Sequence, residues 1–410
     1  MRHLGHGSRL ACALLASGFL GGARLAQASN IITVNGNRVL NNGKLFVTNG
    51  VIFDISAPIA TLKSFYNNTS ETNSYVNGRI KAYDYFFGLN DPSQGVDYSG
   101  GKDAISMLKS QTAPWGVNTI RFNVDQAALN PGSAEYAGYI SEVTQAVTKA
   151  EAAGYVVDLA LFDERNHNAP VVPFWQNNPE VPLDTATTET AALTLVGLYG
   201  RDQNVEIELL NEPFPPGQIG PSWGWWANGG TNTYASGAYY GDVFVGVNNE
   251  IAAMRAGNAA SKYVKSINAI IIQGLSFSWQ GYQYNVTDPL NRLIYSVHPF
   301  FTQITPNTTG WYSSFGQLSA TLPVVLTAWN VSTNDPWFNS GTLNAPYQFL
   351  NYIEARNIGV DGYGFDVPLT IVMALNGHPT VWPAQVGPVN GGPGQLLQRY
   401  WTSGVVPLPQ

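Results

Sequence analysis

The stretch Gly116–Phe162, GVNTIRFNVDQAALNPGSAEYAGYISEVTQAVTKAEAAGYVVDLALF, decides the fold. Gly116–Val124 is a short β-rich apolar run, and Gly154–Phe162 is a second one. Between them Ala137–Ala153 places Tyr139, Val143, Val147 and Ala150 at helical spacing, which predicts an amphipathic helix. Strand, helix and strand in that order predict two parallel strands joined by a crossover and buried on both faces.

The same alternation continues in both directions. Upstream, NIITVNGNRVLNNGKLFVTNGVIFDI (Asn30–Ile55) carries Asn-Gly turns between β-rich pieces, which predicts a hairpin lid and then a first buried strand over Leu45–Ile55. Downstream come a helix over Thr185–Tyr199, a strand VEIELL, a helix around Val245–Ala256 and a strand AIIIQGL. Strands LIYSVHPF and LPVVLTAW follow, then a helix over Tyr347–Arg356 and a last strand in GVDGYGFDV. Counted from Leu45 this makes eight strands, mostly separated by helices. The pattern predicts a single-domain α/β chain, a (β/α)8 TIM barrel spanning residues 29–410 with an N-terminal β-hairpin. An open doubly wound sheet is the rival, but no glycine-rich phosphate loop follows the first strand.

Residues 1–28 read as a signal peptide. Arg2 and Arg9 precede the apolar run LACALLASGFLGGA, and AQAS supplies a small-residue cleavage site after Ala28. That run is too short for a stable membrane-spanning helix, so a secreted or periplasmic protein with no membrane partner is expected. The only cysteine, Cys12, falls within this segment, so the processed chain forms no disulfide. Removing Arg2, Arg9 and Arg24 takes the formal charge from −7 to −10, which argues against nucleic acid or an anionic membrane as partner. Charged residues make up only 11% of the chain while aromatics reach 12%, a balance that suits contact with neutral sugars. A monomer is expected.

The chemistry concentrates in ELLNEPF, Glu208–Phe214. A fourth strand ends there in Asn211-Glu212-Pro213, and the proline stops the ladder where the Glu212 side chain reaches the barrel mouth. Cleavage of a glycoside needs a protonated carboxyl beside the leaving oxygen, and a Glu held at a strand end is suitably rigid for that role.

GVNTIRFNV, ELLNEPF, IYSVHPF and PVVLTAW, in this order and spacing, resemble glycoside hydrolase family 5, the cellulase-type enzymes of clan A. The resemblance runs from about Asn35 to the C-terminus. It implies a (β/α)8 barrel that cleaves β-linked glucans, mannans or related glycosides by retaining double displacement, with no metal or organic cofactor. By the same resemblance Arg121 supports the catalytic carboxylates, Asn211 contacts the sugar 2-hydroxyl, Glu212 is the acid/base and His298 belongs to the sixth-strand motif. Read from the residue alone, Arg121 serves equally as half of an ion pair inside the barrel with Glu208.

One position departs sharply from the family. Its seventh strand carries a Glu nucleophile in a PVxxTEW or PVxxGEF setting, and here PVVLTAW places Ala328 there. Pro323, Thr327 and Trp329 fix the register, and neither Asp335 nor Glu354 is a natural replacement. The tyrosine that bonds the family's nucleophile is Phe300, the eighth-strand tryptophan aligns with Phe365, and the third-strand histidine is absent from LALFDERN. Tryptophans supply the remaining sugar-binding candidates. Trp279 and Trp329 are expected at subsites, with Trp223, Trp225 and Trp226 in a glycine-rich loop above the barrel.

Two functions fit these residues. One is an exported hydrolase of β-linked polysaccharide or oligosaccharide whose turnover is impaired at Ala328. The other is a carbohydrate-binding protein on a retired glycosidase barrel. An inverting mechanism would need another carboxylate, for which Asp163, Glu164, Asp335 and Asp366 are the candidates.

Overall fold

The computed structural model describes residues 30–68, 74–112, 114–163, 183–213, 222–233, 241–257, 265–276, 278, 286–302, 304–331, 344–380 and 392–404. The expected signal peptide, Trp279, Glu164 and Asp335 lie outside the described residues. Eight parallel strands close into a barrel in chain order, as the alternation predicts. They are β1 (Asn49–Ile55), β2 (Thr119–Asp125), β3 (Val156–Phe162), β4 (Val205–Glu208), β5 (Ile270–Gln273), β6 (Leu293–Ser296), β7 (Val324–Trp329) and β8 (Gly359–Gly362). Around them, among the described residues, lie helices α1 (Ile59–Asn68), α2 (Ser74–Phe87), α3 (Ala104–Leu108), α4 (Tyr136–Ala152) and α5 (Ala186–Tyr199). The ring continues with α6 (Ser222–Asn228), α7 (Val247–Ala256), α8 (Thr308–Trp311), α9 (Ala345–Glu354) and α10 (Pro393–Ser403). No helix among the described residues is long and apolar enough to cross a membrane.

Side chains on each strand alternate between the helix layer and the barrel interior. Ile120, Phe122 and Val124 of β2 and Val157, Leu159 and Leu161 of β3 face outward and pack with Tyr139, Val143 and Val147 of α4 in the main core. α5 starts at Thr185, whose hydroxyl accepts the Thr187 N–H while Thr188 answers in a capping box. The inward positions are mostly polar: Thr119, Arg121 and Asn123 on β2, Asp158 on β3, Glu206 and Glu208 on β4, Gln273, Ser296, Thr327 and Asp361 beyond, all buried. Space for this polar filling is created at Gly50, where a Cβ would fall 1.9 Å from Asp361 Oδ1.

The N-terminal residues form a small antiparallel sheet of Ile32–Asn35, Arg38–Asn41 and Lys44–Leu45. Its Ile32 and Val39 pack on Val156, Ala269, Ile271, Ile294 and Val325, which lie toward the N-terminal ends of the barrel strands. This sheet therefore closes the end opposite the mouth. The first barrel strand begins at Asn49, not Leu45, because Lys44–Leu45 pairs with Leu40 and Asn41 instead.

Candidate active site

β4 ends earlier than the sequence predicts. Regular strand stops at Glu208, and the chain then bends through Leu209–Pro213. Asn211 still donates its N–H to Leu161 O of β3 at 2.7 Å, so the bend remains tied to the barrel. Glu212 sits at φ +52°, in the left-handed region that costs a non-glycine residue on the order of 1–2 kcal/mol. Its N–H is held by Gln273 Oε1 at 2.6 Å. The bend aims the carboxyl out of the ladder into the mouth, where the side chain is 31% exposed.

Behind Glu212 lies a buried network centred on Glu208. Arg121 Nε donates to Glu208 Oε2 at 2.5 Å, its Nη1 to Asn123 Oδ1 at 2.6 Å and its Nη2 to Asn211 Oδ1 at 2.8 Å. Gln273 Nε2 donates to Glu208 Oε1 at 2.6 Å and reaches Asn211 Oδ1 at 3.3 Å. Arg121 is thus both the ion-pair partner of Glu208 and the support of Asn211. Burial pushes the Glu208 carboxyl up, but the charge and hydrogen bond of Arg121 outweigh it and hold it below the ordinary value. Burial and then the charge of Glu208 push the neighbouring Asp158 well up, so that it keeps its proton.

β6 and β7 complete the mouth. His298, fully buried just past β6, places Nδ1 2.8 Å from Glu212 Oε1 and Nε2 2.9 Å from Thr327 Oγ1. Thr327 donates in turn to Glu208 Oε1 at 2.7 Å. Ala328 is next in the chain and is buried, yet it joins none of the apolar clusters that hold Val324, Val325, Leu326 and Trp329. Half-buried Phe300 sets its ring edge-on to His298 at 6.3 Å.

Several expected sugar contacts are corrected. Trp329 is fully buried in the helix layer, stacked on Phe349 at 5.0 Å, and offers no face to the mouth. A bulge explains it: Leu326 pairs with Val360 and Trp329 with Gly362, so three steps on β7 match two on β8 and return Trp329 to the outer face. Phe365 is likewise fully buried, packed against Phe53, Tyr85 and Trp115. The half-buried Tyr363, whose N–H bonds Trp329 O at 3.0 Å, instead occupies the end of β8. Trp223, Trp225 and Trp226 lie on helix α6, not in a loop. Trp226 is an anchor: it is buried and its Nε1 donates to Gln273 O at 2.9 Å.

Of the carboxylates considered for an inverting base, Asp163 and Asp366 are each only 5% exposed. Asp366 accepts the Asp54 N–H at 2.6 Å and ties the end of β8 to β1. Among the described residues no group of three or more His, Cys, Asp or Glu side chains is arranged to hold a metal ion. Sequence reasoning missed Gln273, an ordinary strand residue until the barrel turns it inward, and read Thr327 only as a marker of the β7 register.

The model of the cellulase family, glycosyl hydrolase family 5, matches residues 83–365. Similar solved structures include a β-glucanase from Saccharophagus degradans in complex with cellotetraose, at TM-score 0.58 and 14% identity over 92% of this chain and 94% of that one. The catalytic domain of an endoglucanase from Thermobifida fusca, also with cellotetraose, gives TM-score 0.51 and 14% identity over 91% and 97%. An endocellulase from Pyrococcus horikoshii gives TM-score 0.52 and 15% identity over 92% and 99%. At such identities the likeness bears on the fold alone. No curated protein sequence matches. Because the family model spans most of the barrel and includes Arg121, Glu212, His298 and Ala328, the chain belongs to the cellulase family, glycosyl hydrolase family 5.

Proposed function

We propose that this is an exported glycoside hydrolase-type protein that takes a β-linked glucan or mannan chain into the barrel mouth. Glu212 serves as acid/base, and hydrolysis is impaired because Ala328 stands where the family places its nucleophile. The observation that carries this reading is the partly open Glu212 carboxyl, bonded to His298, whose other nitrogen reaches the residue beside Ala328. The cello-oligosaccharides held by structural neighbours support a β-linked glucan as ligand. Asn211, steadied by Arg121, offers the sugar an amide.

Retaining cleavage requires a second carboxylate about 5–5.5 Å from the acid/base to capture the anomeric carbon. Alanine supplies none, and Phe300 has no hydroxyl to steady one. Losing such a group costs on the order of 10^4-fold in rate, about 5 kcal/mol of barrier. Azide or formate, small enough to enter beside a methyl group, is expected to rescue cleavage of an aryl β-cellobioside in part and to give the inverted α-product. Ala328→Glu is expected to restore retaining hydrolysis, more completely with Phe300→Tyr. Normal turnover by the native chain without added anion would show that another group acts as nucleophile. If cellotetraose binds while neither anion nor Ala328→Glu restores turnover, the protein is a sugar-binding barrel.

A further inference from the structure

The Thr327 hydroxyl touches three polar groups at once: Glu208 Oε1 at 2.7 Å, His298 Nε2 at 2.9 Å and Ser296 Oγ at 2.5 Å. A hydroxyl has one hydrogen to give and two lone pairs to receive with. Glu208 decides where the hydrogen goes. Ionised against Arg121, that carboxylate can only accept, and its Oε1 already receives Gln273 Nε2. Thr327 must therefore donate to Glu208, which leaves its two lone pairs for Ser296 and His298. The serine hydroxyl can rotate to donate. The imidazole is fully buried and bonded at both nitrogens, so its only way to donate is to carry hydrogen on Nε2.

The consequence appears at the other nitrogen. With hydrogen on Nε2, a neutral ring presents a lone pair at Nδ1, and the contact to Glu212 Oε1 needs a proton supplied by the Glu212 carboxyl. A charged ring donates the same proton back to the carboxylate. The opposite tautomer would leave Nε2 and the Thr327 oxygen facing each other with no hydrogen between them.

We infer that Thr327 is a positioning residue that locks His298 in the Nε2–H tautomer, so that Nδ1 and the Glu212 carboxyl share one transferable proton. The inference deepens the reading of Glu212 as acid/base and rests on it for its use, but its test requires no turnover. Thr327 adjoins Ala328 in the chain, so one short segment of β7 carries both this lock and the vacant nucleophile position. The charged groups facing the ring are Glu212 directly and Glu208 through Thr327, with Arg121 behind Glu208.

The experiment is ¹H–¹⁵N correlation of the imidazoles in the full chain labelled with ¹⁵N-histidine, with His298 assigned by substituting the other histidines. The native protein is expected to show a pyrrole-type Nε2. Thr327→Val removes the hydroxyl but keeps the branched shape, and is expected to move the ring to the Nδ1–H tautomer with a pyridine-type Nε2. Thr327→Ser is expected to keep the native pattern. A pyridine-type Nε2 in the native protein overturns the inference, even should Thr327→Val fail to fold. An unchanged tautomer in folded Thr327→Val also overturns it. Failure of anion rescue with the tautomer intact strikes only the glycosidase reading.

Discussion

At Glu208 burial and charge pull in opposite directions, and the outcome organises the site. Burial alone would keep a proton on the carboxyl, but Arg121 at 2.5 Å holds it ionised, and the resulting acceptor fixes Gln273 and Thr327 as donors. Replacing Glu208 by Gln should therefore do more than remove one contact. It leaves the guanidinium with Asp158 at 3.6 Å as its nearest countercharge. Removing one partner of a buried pair costs about 3–5 kcal/mol, and Asp158 is placed to ionise in compensation, so a loss of about 3 kcal/mol is expected. Denaturant unfolding of Glu208→Gln measures it, and a loss below about 1 kcal/mol would mean Asp158 already carries the charge. Little of this was legible beforehand. Arg121 and Glu212 stand out in the sequence by motif and by charge in an apolar run. Gln273 and Thr327 acquire meaning only when β5 and β7 face β4 across the barrel.

Elements were more legible than residues, because each strand is an apolar run whose outer face needs a helix to cover it. The eight strands and α4, α5, α7 and α9 lie where the alternation of periods predicts, to within a few residues. What failed were the irregular joints. The β7 bulge that rotates Trp329 outward and the bend after β4 leave no mark on composition, and α6 was hidden by its glycine and tryptophans. The β4 bend has a support of its own in the helix layer. Asp184, just before α5, lies against Leu210 of the bend and Glu250 of α7, and burial pushes its carboxyl up to about 6. Burial first, then the charge of Asp184 and their mutual hydrogen bond, push Glu250 well up, with Glu189 of α5 adding to the same effect. Glu250 thus holds the proton and Asp184 the charge. Glu250→Leu leaves the Asp184 carboxylate buried without that donor and should cost about 2–3 kcal/mol. Glu250→Gln keeps a donor and should cost less than about 1 kcal/mol. Equal losses in thermal unfolding would show that packing, not the shared proton, holds α7 to the bend.

For the whole molecule the barrel interior sets a dependence on pH. Asp158, Glu208 and Asp361 surround Arg121 in a space closed below by the N-terminal sheet, and Asp158, Glu206 and Asp361 line a narrow void with Thr48, Thr119 and Thr327. Arg121 is the only cation facing inward among the described strand residues, so these carboxyls cannot all ionise cheaply in a medium of low polarity. Burial, and then the charges of Asp361 and Glu208, push Glu206 up to about 8. Burial likewise pushes Asp361 up to about 8, against the pull of Arg121. In the unfolded chain such groups titrate near 4, so from about pH 4 to pH 8 the native state binds more protons than the unfolded one. Stability then falls as pH rises across that window, and the contribution is gone once pH passes the folded values. Between pH 5.5 and 8.5 the native protein is expected to lose roughly 2–4 kcal/mol of unfolding free energy, since each tenfold difference in proton affinity is worth about 1.4 kcal/mol and interior relaxation absorbs part of it. Glu206→Gln keeps the shape and the capacity to donate without titrating, so it should flatten the slope and gain more at pH 8.5 than at pH 5.5. Glu142 and Asp366, each pushed up to about 7 with burial the largest cause, add slope of the same sign, so the variant should remove only part of it. Urea unfolding of both proteins at the two pH values decides the matter: a native stability that rises toward pH 8.5, or a Glu206→Gln slope as steep as the native one, would mean that the interior carboxyls are already ionised in the folded barrel.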